Sequence, residues 1–186
     1  MQKSKSNTFA KNLMKYNILN NRNMKKLLII LCMAFAYNMQ ICAQSLYKTV
    51  YERAISVVND PKSSEEDIQI NQFKVTVLNY ITSQVKKRAM EKDSYFYDSQ
   101  AVNLASFITD FESDLLKARG ISTAKRLEVI NCYRDASLAN PLFNDSDKEK
   151  VYCYVNDKQT YTPFSIDTDW EKAYDIVTAK IKTILK

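Results

Sequence analysis

The stretch Ser94–Lys117, SYFYDSQAVNLASFITDFESDLLK, decides the fold class of this chain. Its apolar side chains recur at alternating steps of four and three residues: Tyr97, Ala101, Leu104, Ile108, Phe111 and Leu115. This spacing places them on one face of an α-helix that packs along its whole length. Asp93-Ser94 marks the turn before the helix. Gly120 lies just past its end, where a left-handed residue commonly closes a helix.

Helical patterns also precede this stretch. Ser45–Asn59 predicts a first helix that ends at Asp60-Pro61, because the residue before proline is disfavoured in helical geometry. Ser64 and Asp67 then have the spacing of a capping box at the start of a second helix. The apolar line of that helix is Ile70, Phe73, Val77, Ile81 and Val85.

Further helices follow it. Ser122–Ala139 predicts a fourth helix with Val129, Cys132, Tyr133 and Ala136 on its core face. Leu127 and Leu138 lie nearly opposite, so we expect both sides of this helix to be covered. Thr168 and Glu171 predict the cap of a final helix, whose apolar face is Trp170, Ala173, Tyr174, Val177, Ile181 and Leu185. The predicted fold class is all-α, a bundle of five or six helices.

The segment between these last two helices has two interpretations. Ser146 and Glu149 form another capping-box pair and favour a short helix from Asp147 to about Tyr154. The same region also fits a strand, a turn and a strand near 150–162. We expect the short helix, because two strands alone are marginally stable.

Residues 24–43 have the three-part layout of a bacterial secretory signal peptide. Met24-Lys25-Lys26 is a short positive start, the apolar run Leu27–Ala36 follows, and a more polar tail ends at Ala43. The apolar run is shorter than the roughly 20 residues that span a bilayer, which favours cleavage over a retained membrane anchor. We therefore expect an exported protein, periplasmic or secreted, that contacts a membrane only if the signal stays uncleaved.

The basic net charge of +6 comes from the leader. The residues before Gln44 include seven of the 27 basic residues and none of the 21 acidic ones, which leaves 20 basic against 21 acidic residues in 44–186. A segment with a net charge of about −1 and no basic cluster predicts no nucleic-acid partner. We expect residues 44–186 to form a single domain. Residues 1–23 lie upstream of the signal and fit a gene start assigned too early.

Two absences from the composition exclude several classes of site. The chain has no histidine, which excludes histidine-containing catalytic triads and the usual zinc sites. Its single glycine, Gly120, excludes glycine-rich phosphate loops. No metal or cofactor is predicted. Cys132 and Cys153 could form a disulfide in an oxidising compartment, or they could stay two free, half-buried thiols.

Catalytic motifs are sparse, and each has a structural alternative. Ser122 and Lys125 match the S-x-x-K pattern of penicillin-recognising enzymes, but a helix N-cap explains the same residues. A carboxylate pair could hydrolyse cell-wall glycan, and its candidates are Asp110, Glu112 and Asp114. We expect those three to face solvent.

Two acidic clusters have the composition of calcium loops. The clusters are Asn144–Asp147 and Asp167–Asp169. Counted from Asp145, the sixth and twelfth positions are Lys150 and Asn156, where an EF-hand loop requires glycine and glutamate. Helix caps are the better interpretation of both clusters.

Aromatic residues are dense in the last third of the chain. The candidate binding residues are Tyr152, Tyr154, Tyr161, Phe164 and Trp170. Tyrosine and tryptophan favour interfaces because they combine an apolar body with a polar tip. Core filling is the alternative explanation.

The signal peptide, cleaved to leave Gln44, and the helical pattern after it resemble the small exported helical proteins of Bacteroidota. The resemblance implies export and no particular activity. We expect a non-enzymatic module that binds a protein or cell-envelope partner. The alternative is a cell-wall glycan or peptide hydrolase that uses carboxylates or the pair Ser122 and Lys125.

Overall fold

Five α-helices and one β-hairpin make up the part of the chain that the computed structural model describes, residues 45–144, 150–155 and 161–186. The elements in chain order are α1 (Leu46–Asn59), α2 (Glu65–Lys87), α3 (Ser94–Arg119), α4 (Thr123–Ala139), β1 (Lys150–Tyr154), β2 (Tyr161–Ser165) and α5 (Trp170–Ile184). The protein is thus mostly helical. The expected signal peptide and the residues before it lie outside the described ranges.

The start of α2 follows the predicted capping box. Ser64 Oγ accepts a hydrogen bond from the backbone N–H of Asp67 at 3.1 Å and donates one to the Asp67 carboxylate at 2.7 Å. The cap satisfies an N–H group that the helix itself leaves unpaired. All five residues of the apolar line predicted for α2 are buried.

Helix α3 provides the centre of the core. Five of the six stripe residues predicted from its sequence are buried, and Tyr97 is half-buried. Helices α1, α4 and α5 all pack against it. The prediction that this helix packs along its length is confirmed.

The predicted short helix at 147–154 is wrong over its described residues, which form a strand instead. Strands β1 and β2 pair antiparallel, with Cys153 opposite Thr162 and Tyr154 opposite Tyr161. The expectation rested on the weakness of an isolated hairpin, but this hairpin packs on helices, β1 against α2 and β2 against α4. Cys153, Thr162 and Phe164 fill the core from its inner face.

Side-chain hydrogen bonds connect the segment at the end of β2 to the end of α4 and the residues after it. Asp167 accepts from the backbone N–H groups of Leu142 and Phe143, at 3.1 and 2.7 Å. Ser137 Oγ accepts from the backbone N–H of Ser165 at 3.0 Å. These bonds satisfy buried polar groups of an irregular segment, which would otherwise be costly to bury.

Three details of the helix ends and faces differ from expectation. Gly120 closes α3 in the right-handed conformation, with φ of −70°, because the chain turns directly into the next helix. The cap of α5 is Asp169, not Thr168, and Thr168 instead donates a hydrogen bond to the backbone carbonyl of Ser165. Leu127 is 57% exposed, so α4 is covered on one side only at that position.

No helix within the described ranges combines the length and the apolar character needed to cross a membrane.

Candidate binding surface

The outer face of the hairpin presents tyrosines. Side chains of a strand alternate between faces, so Tyr152 and Tyr154 of β1 share one face with Tyr161 of β2. The ring of Tyr161 lies 6.5 Å from that of Tyr152 and 5.1 Å from that of Tyr154, measured between centroids. Tyr152 is 63% exposed and Tyr161 is 53% exposed, whereas Tyr154 is buried.

A pocket of about 470 Å³ opens where this face meets the first turn of α2. Tyr154 and Tyr161 form one wall, and the other consists of Ser64, Glu65, Glu66 and Gln69. The two glutamates sit in the first helical turn, where the helix dipole favours negative charge. No basic residue lines the pocket among the described residues. The described lining of the pocket therefore combines two tyrosine side chains with two carboxylates and no cation.

Two of the five predicted binding residues belong to the core instead. Phe164 and Trp170 are fully buried. The Trp170 ring lies 5.3 Å from that of Phe107, and the Phe164 ring lies 5.4 Å from those of Phe107 and Phe111. Core filling, the alternative interpretation, accounts for this pair. The structure leaves Tyr152 and Tyr161 as the exposed members of the set.

The three carboxylates considered for hydrolysis were expected to face solvent, but each of them is buried or half-buried. Asp114 is buried, where it accepts a hydrogen bond from the Tyr133 hydroxyl at 2.7 Å and one from Lys117 Nζ at 2.8 Å. Asp110 is half-buried and accepts from the Tyr174 hydroxyl at 2.7 Å. Both acids are thus used to hold α4 and α5 onto α3.

The pKa values of the two tyrosines reflect these bonds. Burial raises the pKa of Tyr133 beyond its ordinary range, and its hydrogen bond to the Asp114 carboxylate acts in the same direction. The hydrogen bond to Asp110, followed by burial, raises the pKa of Tyr174 to about 12. Both hydroxyls therefore remain protonated donors at neutral pH.

The third carboxylate, Glu112, lies near a lysine. It is half-buried on α3, near Lys74 of α2. Burial raises the pKa of the Glu112 carboxyl, and the positive charge of Lys74 opposes the rise. The three carboxylates thus have separate surroundings rather than one shared catalytic cleft.

Ser122 and Lys125 occupy a helix start. Ser122 Oγ accepts from the backbone N–H of Lys125 at 3.1 Å, and Lys125 Nζ pairs with Glu128 at 3.2 Å. The hydroxyl is a cap, and the ammonium is engaged by a carboxylate, so this geometry gives no activated serine.

The acidic clusters considered for calcium binding also include structural hydrogen-bond acceptors. Asp167 and Asp169 serve as loop and cap acceptors, while Asp145 to Asp147 lie outside the described residues. Within the described ranges no group of three or more acidic or cysteine side chains could hold a metal ion.

Cys132 and Cys153 are both free thiols in the structure. Cys132 is half-buried on α4, and Cys153 is buried in the core on β1. Burial raises the pKa of the Cys153 thiol to about 12. Of the two alternatives drawn from the sequence, the structure has the unbridged pair.

Sequence reasoning did not identify Glu65 and Glu66 as pocket residues. Their position after Ser64 has a sufficient local explanation in the helix dipole. They line a pocket only because the hairpin, about 90 residues further along the chain, packs on α2. No local pattern in the sequence predicts the contact between the hairpin and α2.

Comparison with protein-family models, with curated proteins and with solved structures finds no significant match to this chain.

Proposed function

We propose that residues 44–186 form an exported, non-catalytic helical bundle that binds a protein of the cell envelope through the outer face of its hairpin. The observation that carries the proposal is the exposure of Tyr152 and Tyr161 beside the pocket at the start of α2. The other three candidate binding residues, Tyr154, Phe164 and Trp170, are buried. Tyr152 and Tyr161 remain available to a partner.

The chemistry of the pocket favours a basic side chain of the partner. A lysine or arginine that entered it would meet tyrosine faces, which attract cations, and the carboxylates of Glu65 and Glu66. Tyrosine is also enriched among the residues that contribute most to binding energy at interfaces. The proposed ligand class is therefore a basic segment of a protein.

A peptide titration tests this proposal. A hexa-arginine peptide should bind the purified protein, and a hexa-glutamate peptide should not. Tyr161→Ala and Glu66→Gln should each weaken binding about tenfold or more, which corresponds to about 1.4 kcal/mol. Tyr95→Ala is the matched control, because Tyr95 is an exposed tyrosine on α3, outside the pocket lining.

Unchanged binding in Tyr161→Ala and Glu66→Gln, or an equal loss in Tyr95→Ala, would contradict the proposal. The same variants should then lose their partner in a pull-down from an envelope fraction. Export is tested separately by mass spectrometry of the mature protein, for which we expect an N-terminus at or near Gln44. An intact leader on protein dissolved in the cytosol would overturn that part.

A further inference from the structure

A second cleft, of about 550 Å³, lies between α1, α2 and α3. One of its walls is apolar and consists mainly of α1 side chains, and the other is polar. The apolar residues are Val50, Ala54, Val57 and Ala105, and the uncharged polar ones are Ser63, Asn71 and Thr109. The remaining lining residues are charged: Arg53 of α1, Asp67 of α2 and Lys74 of α2.

Of the three charged side chains in this cleft, only Asp67 has a hydrogen-bond partner among the described residues. Asp67 is already engaged in the capping box, where it accepts from Ser64 Oγ at 2.7 Å. Within the described residues, the side chains of Arg53 and Lys74 form neither an ion pair nor a hydrogen bond. Among the described residues, the two cations that border the cleft therefore have no carboxylate within ion-pair distance, and Asp67 and Glu112 act on Lys74 only from further away.

Lys74 bears the larger cost of this arrangement because it is half-buried. Burial lowers the pKa of its ammonium, and the next largest influence, the negative charge of Glu112, opposes the shift. The charge of Arg53 lowers this pKa further, and Asp67 opposes it. A partly desolvated ammonium without a hydrogen-bond acceptor is unfavourable. An anion placed between Lys74 and Arg53 would supply that acceptor and neutralise their mutual repulsion.

We infer that this cleft binds a small organic anion, with its carboxylate or phosphate group between Arg53 and Lys74 and its apolar body against α1. The volume lies within the range of small-molecule sites, roughly 300–1,000 Å³. A lysine presents a point charge and an arginine a planar fork, and both suit anionic oxygens. The apolar wall favours a ligand with a hydrocarbon part over a bare inorganic ion.

Four probes with one apolar body separate the contributions of charge and hydrocarbon. The protein is titrated with hexanoate, hexyl phosphate, hexanol and hexyltrimethylammonium, and binding is followed by NMR shifts of the amides that line the cleft. The two anions should bind at least tenfold more tightly than the alcohol, and the cation should not bind. The tighter of the two anions identifies the head group.

Variants assign the effect to the two cations. Lys74→Met keeps the length of the side chain and removes the charge, and it should weaken hexanoate binding at least tenfold. Arg53→Gln should do the same, and it tests the site independently if Lys74→Met fails to fold, because Arg53 is exposed. Lys86→Met is the control, since Lys86 is an exposed lysine near the end of the same helix.

Equal binding of hexanol and hexanoate would overturn the inference, as would the absence of shifts in the cleft at millimolar anion. Full retention of anion binding in Arg53→Gln would overturn it as well. None of these outcomes affects the tyrosine surface, whose peptide titration uses different residues.

Discussion

Replacing Tyr133 by phenylalanine isolates one buried hydrogen bond, the one that its hydroxyl donates to Asp114 at 2.7 Å. The substitution keeps the ring, which lies 5.0 Å from the rings of Phe107 and Phe111, so the packing changes by a single oxygen atom. Asp114 retains Lys117, whose ammonium lies 2.8 Å from the other carboxylate oxygen and is largely exposed.

The expected cost follows from the charge of the acceptor. A hydrogen bond to a charged group contributes about 1.5–3 kcal/mol, and its loss here leaves a buried carboxylate oxygen without its donor. We therefore expect Tyr133→Phe to lower the free energy of unfolding by about 2–3 kcal/mol. For a protein of this size, that corresponds to a fall in Tm of about 4–12 °C at neutral pH.

Thermal unfolding followed by circular dichroism measures this fall. Tyr174→Phe is the matched control, because Tyr174 donates the same kind of bond to Asp110 from a less buried position. The cost there should be smaller, about 1 kcal/mol. A Tyr133→Phe variant as stable as the wild type would refute the assignment of Asp114 as a structural acceptor.

The pH dependence gives a second check on the same bond. The pKa of Tyr133 is raised in the folded protein, so above pH 10.0 the unfolded tyrosine loses its proton while the folded one retains it. The contribution of Tyr133 to stability is therefore fully present below pH 10.0 and is lost as the pH rises above it. The deficit of Tyr133→Phe relative to the wild type should shrink in that range. A deficit that grows would contradict the reasoning.

Three further outcomes follow from burial and charge. Phe164→Ala should lower the free energy of unfolding by about 3–5 kcal/mol in denaturant titration, because it opens a cavity among the core aromatics, and a change below about 1 kcal/mol would contradict its burial. Burial lowers the pKa of Lys74, so the folded protein loses this proton at a lower pH than the unfolded chain does. The stability of the wild type relative to Lys74→Met should therefore increase as the pH rises toward 10.5, and a stability difference that does not change with pH would count against this. Iodoacetamide should modify Cys132 in the native protein and Cys153 only after unfolding, as read by peptide mass spectrometry, whereas a disulfide would protect both until reduction.

Local sequence patterns predicted the helices well. Ser64 with Asp67, and the stripe from Ala101 to Leu115, depend only on spacing within one element, and both are observed. The segment Lys150–Tyr154 was expected to be helical because an isolated pair of strands is marginally stable, although its short apolar run also fits the strand that is observed. Contacts with α2 and α4 decide between them, and no local pattern encodes those contacts.

The candidate site was only partly predictable for the same reason. The exposure of Tyr152 and the burial of Trp170 follow from which face of the hairpin or helix meets the core. Asp114 was expected in solvent because the apolar seam of its helix points elsewhere, and its partner Tyr133 lies on the following helix, 19 residues away. Composition drew attention to the aromatic segment, but tertiary packing determined which of its rings are exposed.

The burial of Trp170 also provides a means of observing the folding of the protein. It is the chain's one tryptophan, and its indole packs against the rings of Phe73 and Phe107. Native fluorescence should therefore have the short-wavelength emission of an apolar environment. Separation of α5 from α3 would expose the indole and shift that emission to longer wavelengths, so a single optical signal, with no added label, follows how the last helix assembles onto α3.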